Sequence, residues 1–342
     1  MVSFKQAKGR AFEALVQNLI KKAGFIELRN CEQITDTGKF HGRGATHQID
    51  AFGEFEYTIP FAYPIRLIAE AKATKYPINV AVFRNHVGVM EDIKEWYRIE
   101  TRTGGAERYQ PVARSRYYDC AAIFSLSGFR KSAEEYGYAH GILAVSYENN
   151  KIITKLFGKL KGLLLKTGYG KMRSNQVKKL TQDVYLSKTI PQAPKTGGLD
   201  GQVTKFKEYL DDVGSLFGMM SGRYPINILF EKSKQKESKL SFPSQINAKL
   251  KFSSNRFIIT SKKPYFKGEF SISKNLLKYY LLAKYKRNYE YLAYIDVALP
   301  EERKVSRFTF DKTETGELLD DIKNIFEKEK GAVKKEEVQK EK

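Results

Sequence analysis

Apolar residues recur at three- and four-residue spacing at the start of the chain. Over 5–23, Phe12, Leu15, Val16, Leu19, Ile20 and Ala23 share one face, which predicts an amphipathic helix closed by Gly24 as a C-terminal cap. β-formers spaced among polar residues then predict a first strand over Phe25 to Thr35, followed by a glycine-rich, positively charged loop, DTGKFHGRGATH, over 36–47. The period shortens to two over Thr46–Tyr57 and again over Arg66–Ala73, predicting two strands joined by a connection with Pro60 and Pro64. After a turn containing Pro77, residues 80–99 return to helical spacing, with Val82, Val87, Met90, Ile93 and Tyr97 as the apolar side. The run YDCAAIFSL over 118–126 predicts a buried strand that passes through Ser127-Gly128 into a helix, Phe129–Ala139, and a further strand, Ile142–Tyr147. Strand, turn, helix and strand within thirty residues describe a βαβ unit with a parallel pair.

The pattern changes character after residue 150. Leu156, Phe157, Leu160, Leu163 and Leu164 form a helical apolar face, but from Lys151 to Lys195 positive residues recur with only Asp183 against them. Such one-sided charge points to nucleic-acid contact. IPQAPKTGGLDG, over 190–201, reads as a linker. Residues 202–326 predict a second, α+β domain: a helix over Val203–Met220, strands over Tyr224–Glu231, Arg256–Ser261 and Tyr291–Ala298, and a short helix over Leu276–Lys284. The expected organisation is therefore a first domain over 1–150, a basic segment and linker over 151–201, the α+β domain over 202–326 for target recognition or assembly, and a charged tail over 327–342.

Charge narrows the class of partner. Sixty Lys and Arg against 39 Asp and Glu give a net charge of +21, which favours polyanions, since neutralising phosphates releases condensed counterions. The basic residues are spread along the chain, with no basic amphipathic helix and no lipidation motif, so nucleic acid is expected and a membrane is not. No apolar run reaches membrane-span length and MVSFKQAKGR lacks a signal-peptide core, so a soluble cytoplasmic protein is the expectation. Cys31 and Cys120 lie far apart, and His41, His47, His86 and His140 show no zinc spacing.

The candidate chemistry lies in the two central strands. Over 66–73, Leu67, Ala69, Ala71 and Ala73 point one way, and Ile68, Glu70 and Lys72 the other. Over 46–57, Gln48 and Asp50 share one parity, and Ile49, Ala51 and Phe55 the other. Paired as a hairpin, these strands bring Asp50, Glu70 and Lys72 to one small volume, as a hard divalent cation and an attacking water require. An isolated Glu and Lys two apart are an ordinary solvated pair, but the apolar run around them argues for burial, and buried charges persist when paired or metal-bound. Glu13 lies beside Ile20 at the margin of the helical stripe, where a carboxylate can reach the same volume. Two further places suit a phosphate: Arg43, between Gly42 and Gly44 in a loop that matches no nucleotide fingerprint, and Ser127, Arg130 and Lys131 at a helix N-terminus, where plain capping is an equal reading. Arg108, Arg114 and Arg116 lie in a polar loop that can touch a nucleic-acid backbone.

Four blocks in order, KGRAFEALVQNLIKKAGF, HQID, LIAEAK and IFSLSGFRKSAEEYGYAHGI, resemble the Mrr-like branch of the PD-(D/E)xK nucleases. The likeness covers about residues 5–147; the remainder has no comparable match. It implies a restriction-endonuclease-like, three-layer α/β/α core with a mixed sheet. It further implies Asp50 and Glu70 as metal carboxylates, Lys72 as the motif lysine and Glu13 as the acidic residue of the first helix. Gln48 is not a motif residue. The implied activity is Mg²⁺-dependent hydrolysis of double-stranded DNA, with Mn²⁺ as a substitute, in restriction or anti-phage defence. Cutting both strands with one site per chain implies a homodimer. Lys72 can orient or deprotonate the nucleophile, or stabilise the pentacovalent phosphate; the residues alone do not choose. Ile49 stands where the nominal signature has proline, His47-Gln48 where many relatives are glycine-rich, and no recognition domain precedes the catalytic blocks. A structure-specific nuclease of the junction-resolvase kind and a non-catalytic DNA binder on the same fold remain the alternatives.

Overall fold

The computed structural model describes residues 4–26, 28, 33–35, 38–57, 62–96, 117–166, 206, 208–221, 224–235, 242–253, 256–273, 277, 293–299, 302, 304–324 and 327. Cys31, Tyr97, Arg108, Arg114 and Arg116, the basic stretch beyond Lys166, the linker, the expected helix over 276–284 apart from Leu277, and the tail apart from Glu327 lie outside the described residues.

The first half forms a mixed five-stranded sheet in the order β1-β4-β5-β6-β7. Its strands are β1 (Phe25–Ile26), β4 (Ala51–Phe55), β5 (Ile65–Lys72), β6 (Tyr118–Ser125) and β7 (Leu143–Ser146). The β1–β4 and β4–β5 pairs are antiparallel, while β5–β6 and β6–β7 are parallel. Helix α1 (Phe4–Lys22) ends where expected, with Gly24 at φ 91°. The βαβ unit forms as the pattern predicts, with α3 (Lys131–Ala139) between β6 and β7.

Two-sided burial explains the alternation in β5. Leu67, Ala69 and Ala71 join an apolar cluster with Phe12, Leu15 and Leu19 of α1 and with Ile153, Leu156 and Leu160 of α4 (Lys151–Lys166). Ile68 joins a second cluster with Phe83, Met90 and Ile93 of α2 (Val80–Lys94) and Ala133 of α3. The buried line of α2 runs through Phe83, His86, Met90 and Ile93 rather than through Val82 and Val87, which are only partly buried. Burial of the ring at 83 turns the helix slightly from the face its β-branched residues suggested.

Three expected elements take a different form. Of the strand expected over Phe25–Thr35, the described residues form only β1 at Phe25–Ile26 and an isolated bridge at Ile34. The strand expected over 46–57 is interrupted: β3 (Thr46–His47) pairs with β2 (Phe40–His41) in a separate ribbon, and the sheet strand begins only at Ala51. Ile49 packs in the α2–α3 cluster and Ala51 in the α1–α4 cluster, so alternation breaks at Asp50. The cause is a tether from α2: the Asp92 carboxylate accepts the amides of Gly44 (2.8 Å) and Ala45 (3.2 Å) and binds His47 Nε2 at 2.6 Å. A Cβ at Gly42 would lie 2.0 Å from that carboxylate, so a larger residue there would push the Asp92 side chain off its tether. His47, the nearest of several groups to Asp92, helps hold its carboxyl below the usual range.

Of the helix expected over 203–220, the described residues 206 and 208–212 are helical, and Val213–Met220 is instead strand β8. Its apolar residues divide between two cores: Val213 joins the α1–α4 cluster, Leu216 and Met220 the next one. Burial on both sides erases a period of two and leaves a run that reads equally as helix. Gly218 marks the difference, because a Cβ there would stand 2.3 Å from the Asp296 carbonyl oxygen.

The second half closes seven strands into a barrel, ordered β10-β11-β12-β9-β8-β13-β14. These are β9 (Tyr224–Glu231), β10 (Gln245–Ser253), β11 (Arg256–Lys262), β12 (Tyr265–Phe270), β13 (Tyr294–Leu299) and β14 (Lys304–Phe310), together with β8; a helix over 312–324 follows. Neighbours are antiparallel except β10 and β14, and closure leaves no sheet edge exposed. Phe230, Phe242 and Phe308 surround Phe266 at ring separations of 5.3–5.4 Å. The barrel meets the first sheet directly: Val213 and Leu229 lie in the α1–α4 cluster, and the buried Tyr147 hydroxyl donates to Asn227 Oδ1 at 2.9 Å. Among the described residues no helix is long and apolar enough to cross a membrane.

Candidate active site

The β4–β5 ladder ends at Ala51 and Ala69, leaving the last residues of β5 without a backbone partner on that side. Asp50 fills the gap, its Oδ2 accepting the Ala71 amide at 2.9 Å. The carboxylate is thereby held beside the side chains that follow Ala69. Glu70 and Lys72, two apart on the same face, form an ion pair and are 23% and 32% exposed.

Glu13 comes to the same place from α1. It is buried, and its Oε2 accepts from Arg10 Nη1 at 2.8 Å one turn earlier on the helix. Glu13, Gln48, Asp50, Glu70 and Lys72 all line one cleft of about 390 Å³, together with Lys5, Gly9, Arg10 and Thr74. The convergence expected of Asp50, Glu70, Lys72 and Glu13 is therefore observed as a geometric fact. Lys5 and Arg10 were not singled out from the sequence, although Arg10 three residues before Glu13 on a helix is a legible pair.

Charges in the cleft balance, with Lys5, Arg10 and Lys72 against Glu13, Asp50 and Glu70. Burial alone would lower the Lys72 pKa, but the adjacent Glu70, then Asp50 and Glu13, outweigh it and hold the group above the ordinary lysine value. Lys72 is an ammonium in this arrangement. Behind β5, His86 of α2 contacts the Ile68 carbonyl at 3.3 Å. Burial pushes its pKa down to about 4, against the pull of that carbonyl and with help from Lys72, so it is a neutral packing residue.

The other phosphate candidates stand outside this cleft. The Ser127 hydroxyl donates to the Tyr76 carbonyl (2.7 Å) and meets Thr74 Oγ1 (3.1 Å), so it touches a residue of the cleft wall without lining it. The Arg130 amide donates to the Ile78 carbonyl at 2.8 Å, and Lys131 pairs with Glu135 at 3.6 Å. Arg43 lies on the 42–47 loop, its guanidinium 2.7 Å from Glu95. Among the described residues no three His, Cys, Asp or Glu side chains group as a metal cluster.

A scan against protein-family models finds no match, and no curated protein matches. Among solved structures, one described as a protein of unknown function, AF1548, is similar to 52% of this chain and 97% of its own, at 13% identity and a TM-score of 0.28. A likeness that loose carries no argument about fold or function.

Proposed function

We propose that the chain is a Mg²⁺-dependent deoxyribonuclease built on a restriction-endonuclease-like, three-layer α/β/α core, with α1 and α4 on one face of the mixed sheet and α2 and α3 on the other. One observation carries the reading: Asp50, Glu70, Lys72 and Glu13, drawn from a strand end, a central strand and a helix, line a single cleft. Glu13, Asp50 and Glu70 bring hard oxygen donors to one cleft, a set that suits a divalent cation. Asp50 and Glu70 fit Mg²⁺, which binds one or two carboxylates and keeps several waters. Bound there, Mg²⁺ would supply an acidified water and neutralise charge on the phosphate oxygens.

The protein's own side chains do the rest. Glu70, now paired with Lys72, would hold the cation together with Asp50, and the Lys72 ammonium beside it faces the same cleft as the scissile phosphate would. Held as a cation, Lys72 suits stabilisation of the developing negative charge. Arg10 and Lys5 at the rim attract the flanking backbone, and Glu13 orients Arg10. A defence role against foreign DNA, and a homodimer to cut both strands, belong to the same proposal.

The test is digestion of methylated and unmethylated supercoiled plasmid in Mg²⁺, comparing wild type with Lys72→Ala. Wild type should linearise plasmid, and the variant should lose about a hundredfold or more of the rate. Equal nicking by the variant would assign the activity elsewhere. Preference for four-way junctions over intact plasmid would favour a resolvase.

A further inference from the structure

A second cavity, of about 350 Å³, lies between the start of α4 and barrel strands β9, β11 and β12. That volume is in the range of small-ligand sites. Three charged residues in its wall are buried: Glu231 (8% exposed), Arg256 (6%) and Glu269 (9%). Glu269 binds Arg256 Nε at 2.8 Å and accepts the Ile152 amide at 3.0 Å, while Glu231 takes Lys155 at 2.9 Å and also Lys234. Both carboxylates are thus neutralised from within the protein. Lys151 and Lys267 also line the cavity, without an ion-pair partner among the described residues, so cationic side chains exceed acidic ones by three. At the start of α4 the Ile152 and Ile153 amides are already taken by Glu269 and by Asn150 Oδ1, which leaves recognition of an anion mainly to side chains.

The rest of the wall is Ile152, Phe230, Ile258, Gly268 and the aromatic Tyr209. We infer that this cavity binds a phosphate-bearing ligand with a flat apolar body: a nucleotide, either free or at the end of a nucleic-acid strand. Lys151 and Lys267 would hold the phosphate, and the apolar wall the base. Along α4, Lys151, Lys155 and Lys159 recur every four residues on the exposed side. Two turns along from Lys151, Lys8 of α1 stands over the Phe157 ring at 5.8 Å. The basic surface of α4 thus adjoins α1, the helix that also lines the other cleft.

The assignment does not rest on nuclease activity, and binding tests it directly on the full-length chain. Deoxyadenosine monophosphate is titrated calorimetrically, and a labelled single-stranded 12-mer is followed by anisotropy. Lys151→Gln/Lys267→Gln, a change of two charges, is compared with Lys312→Glu, which shifts the net charge by the same two, and with Lys72→Ala. Mononucleotide binding weakened about tenfold in the double variant alone, the loss expected for one charge-assisted contact, supports a free nucleotide. Loss confined to the 12-mer, beyond that of Lys312→Glu, supports a strand end. Equal behaviour of the double variant and Lys312→Glu with both probes overturns the site. Lys72→Ala lies outside this cavity and should bind the mononucleotide as wild type does, so failure of cleavage and failure of this site are read separately.

Discussion

Removal of the Asp119 carboxylate should destabilise the chain severely, because it strands a buried charge that also holds β5 in register. Arg66 and Asp119 are direct partners across β5 and β6, and their side chains are 3% and 7% exposed. The pair is bidentate, at 2.6 and 2.9 Å, and Arg66 Nη1 donates to Gln33 Oε1 at 2.7 Å. The guanidinium also lies over the Tyr117 ring at 4.5 Å. Asp119→Ala removes both carboxylate acceptors, and an unpaired buried charge costs about 3–5 kcal/mol. With a urea dependence of about 3 kcal/mol per molar, the unfolding midpoint should fall by about 1 M or more. Arg66→Met with Asp119→Leu removes both charges and should recover much of the loss, since an apolar pair can replace a buried ion pair. A fall equivalent to under about 1 kcal/mol, the size of a surface bridge, would refute the reasoning. The consequence reaches the site, because a one-residue slip of β5 turns Glu70 and Lys72 to the opposite face.

Burial raises the Glu134 pKa to about 7; Ser273 opposes the shift, and Glu148 and Glu135 add to it. Its folded value exceeds its unfolded one, so the stabilisation is full below about pH 4.5 and is lost as pH rises through about 7. It amounts to on the order of 3 kcal/mol, and Glu134→Gln should abolish that dependence in urea midpoints taken at pH 5 and pH 8. Asp50→Asn keeps an oxygen acceptor for the Ala71 amide but loses the charge; it should unfold near the wild-type midpoint while calorimetric Mg²⁺ binding disappears. Gly218→Ala drives a Cβ against the Asp296 carbonyl and should lower the melting temperature by several degrees, as overpacking of about 1–3 kcal/mol does.

The elements legible in the sequence are those whose burial follows a local period. Helix α1, strand β5 and the βαβ unit each carry their own pattern, because each buries a face whose residues lie three, four or two apart. Strand β8 hides its nature, since Val213 packs toward α1 while Leu216 packs into the barrel. Closure of the barrel is equally silent, because β10 pairs in parallel with β14 across some sixty residues and nothing in either strand names the other. The break at Asp50 is also non-local, imposed by Asp92 from α2.

The same reasoning separates the two cavities. Glu70 and Lys72 share a face by strand period, and Asp50 needs only to end the neighbouring strand, so most of that cleft is written in one hairpin. Glu13 follows from a helical angle. The cavity beside α4 draws on four elements spread from Lys151 to Glu269, and its decisive feature is that Glu231 and Glu269 are already satisfied by other protein groups. Counted along the sequence, those carboxylates offset neighbouring lysines and the region reads as ordinary mixed charge. Only when each acid is matched to the cation or amide it binds does the surplus at Lys151 and Lys267 emerge. Pairing, rather than composition, therefore decides where an anion is drawn on this strongly basic chain.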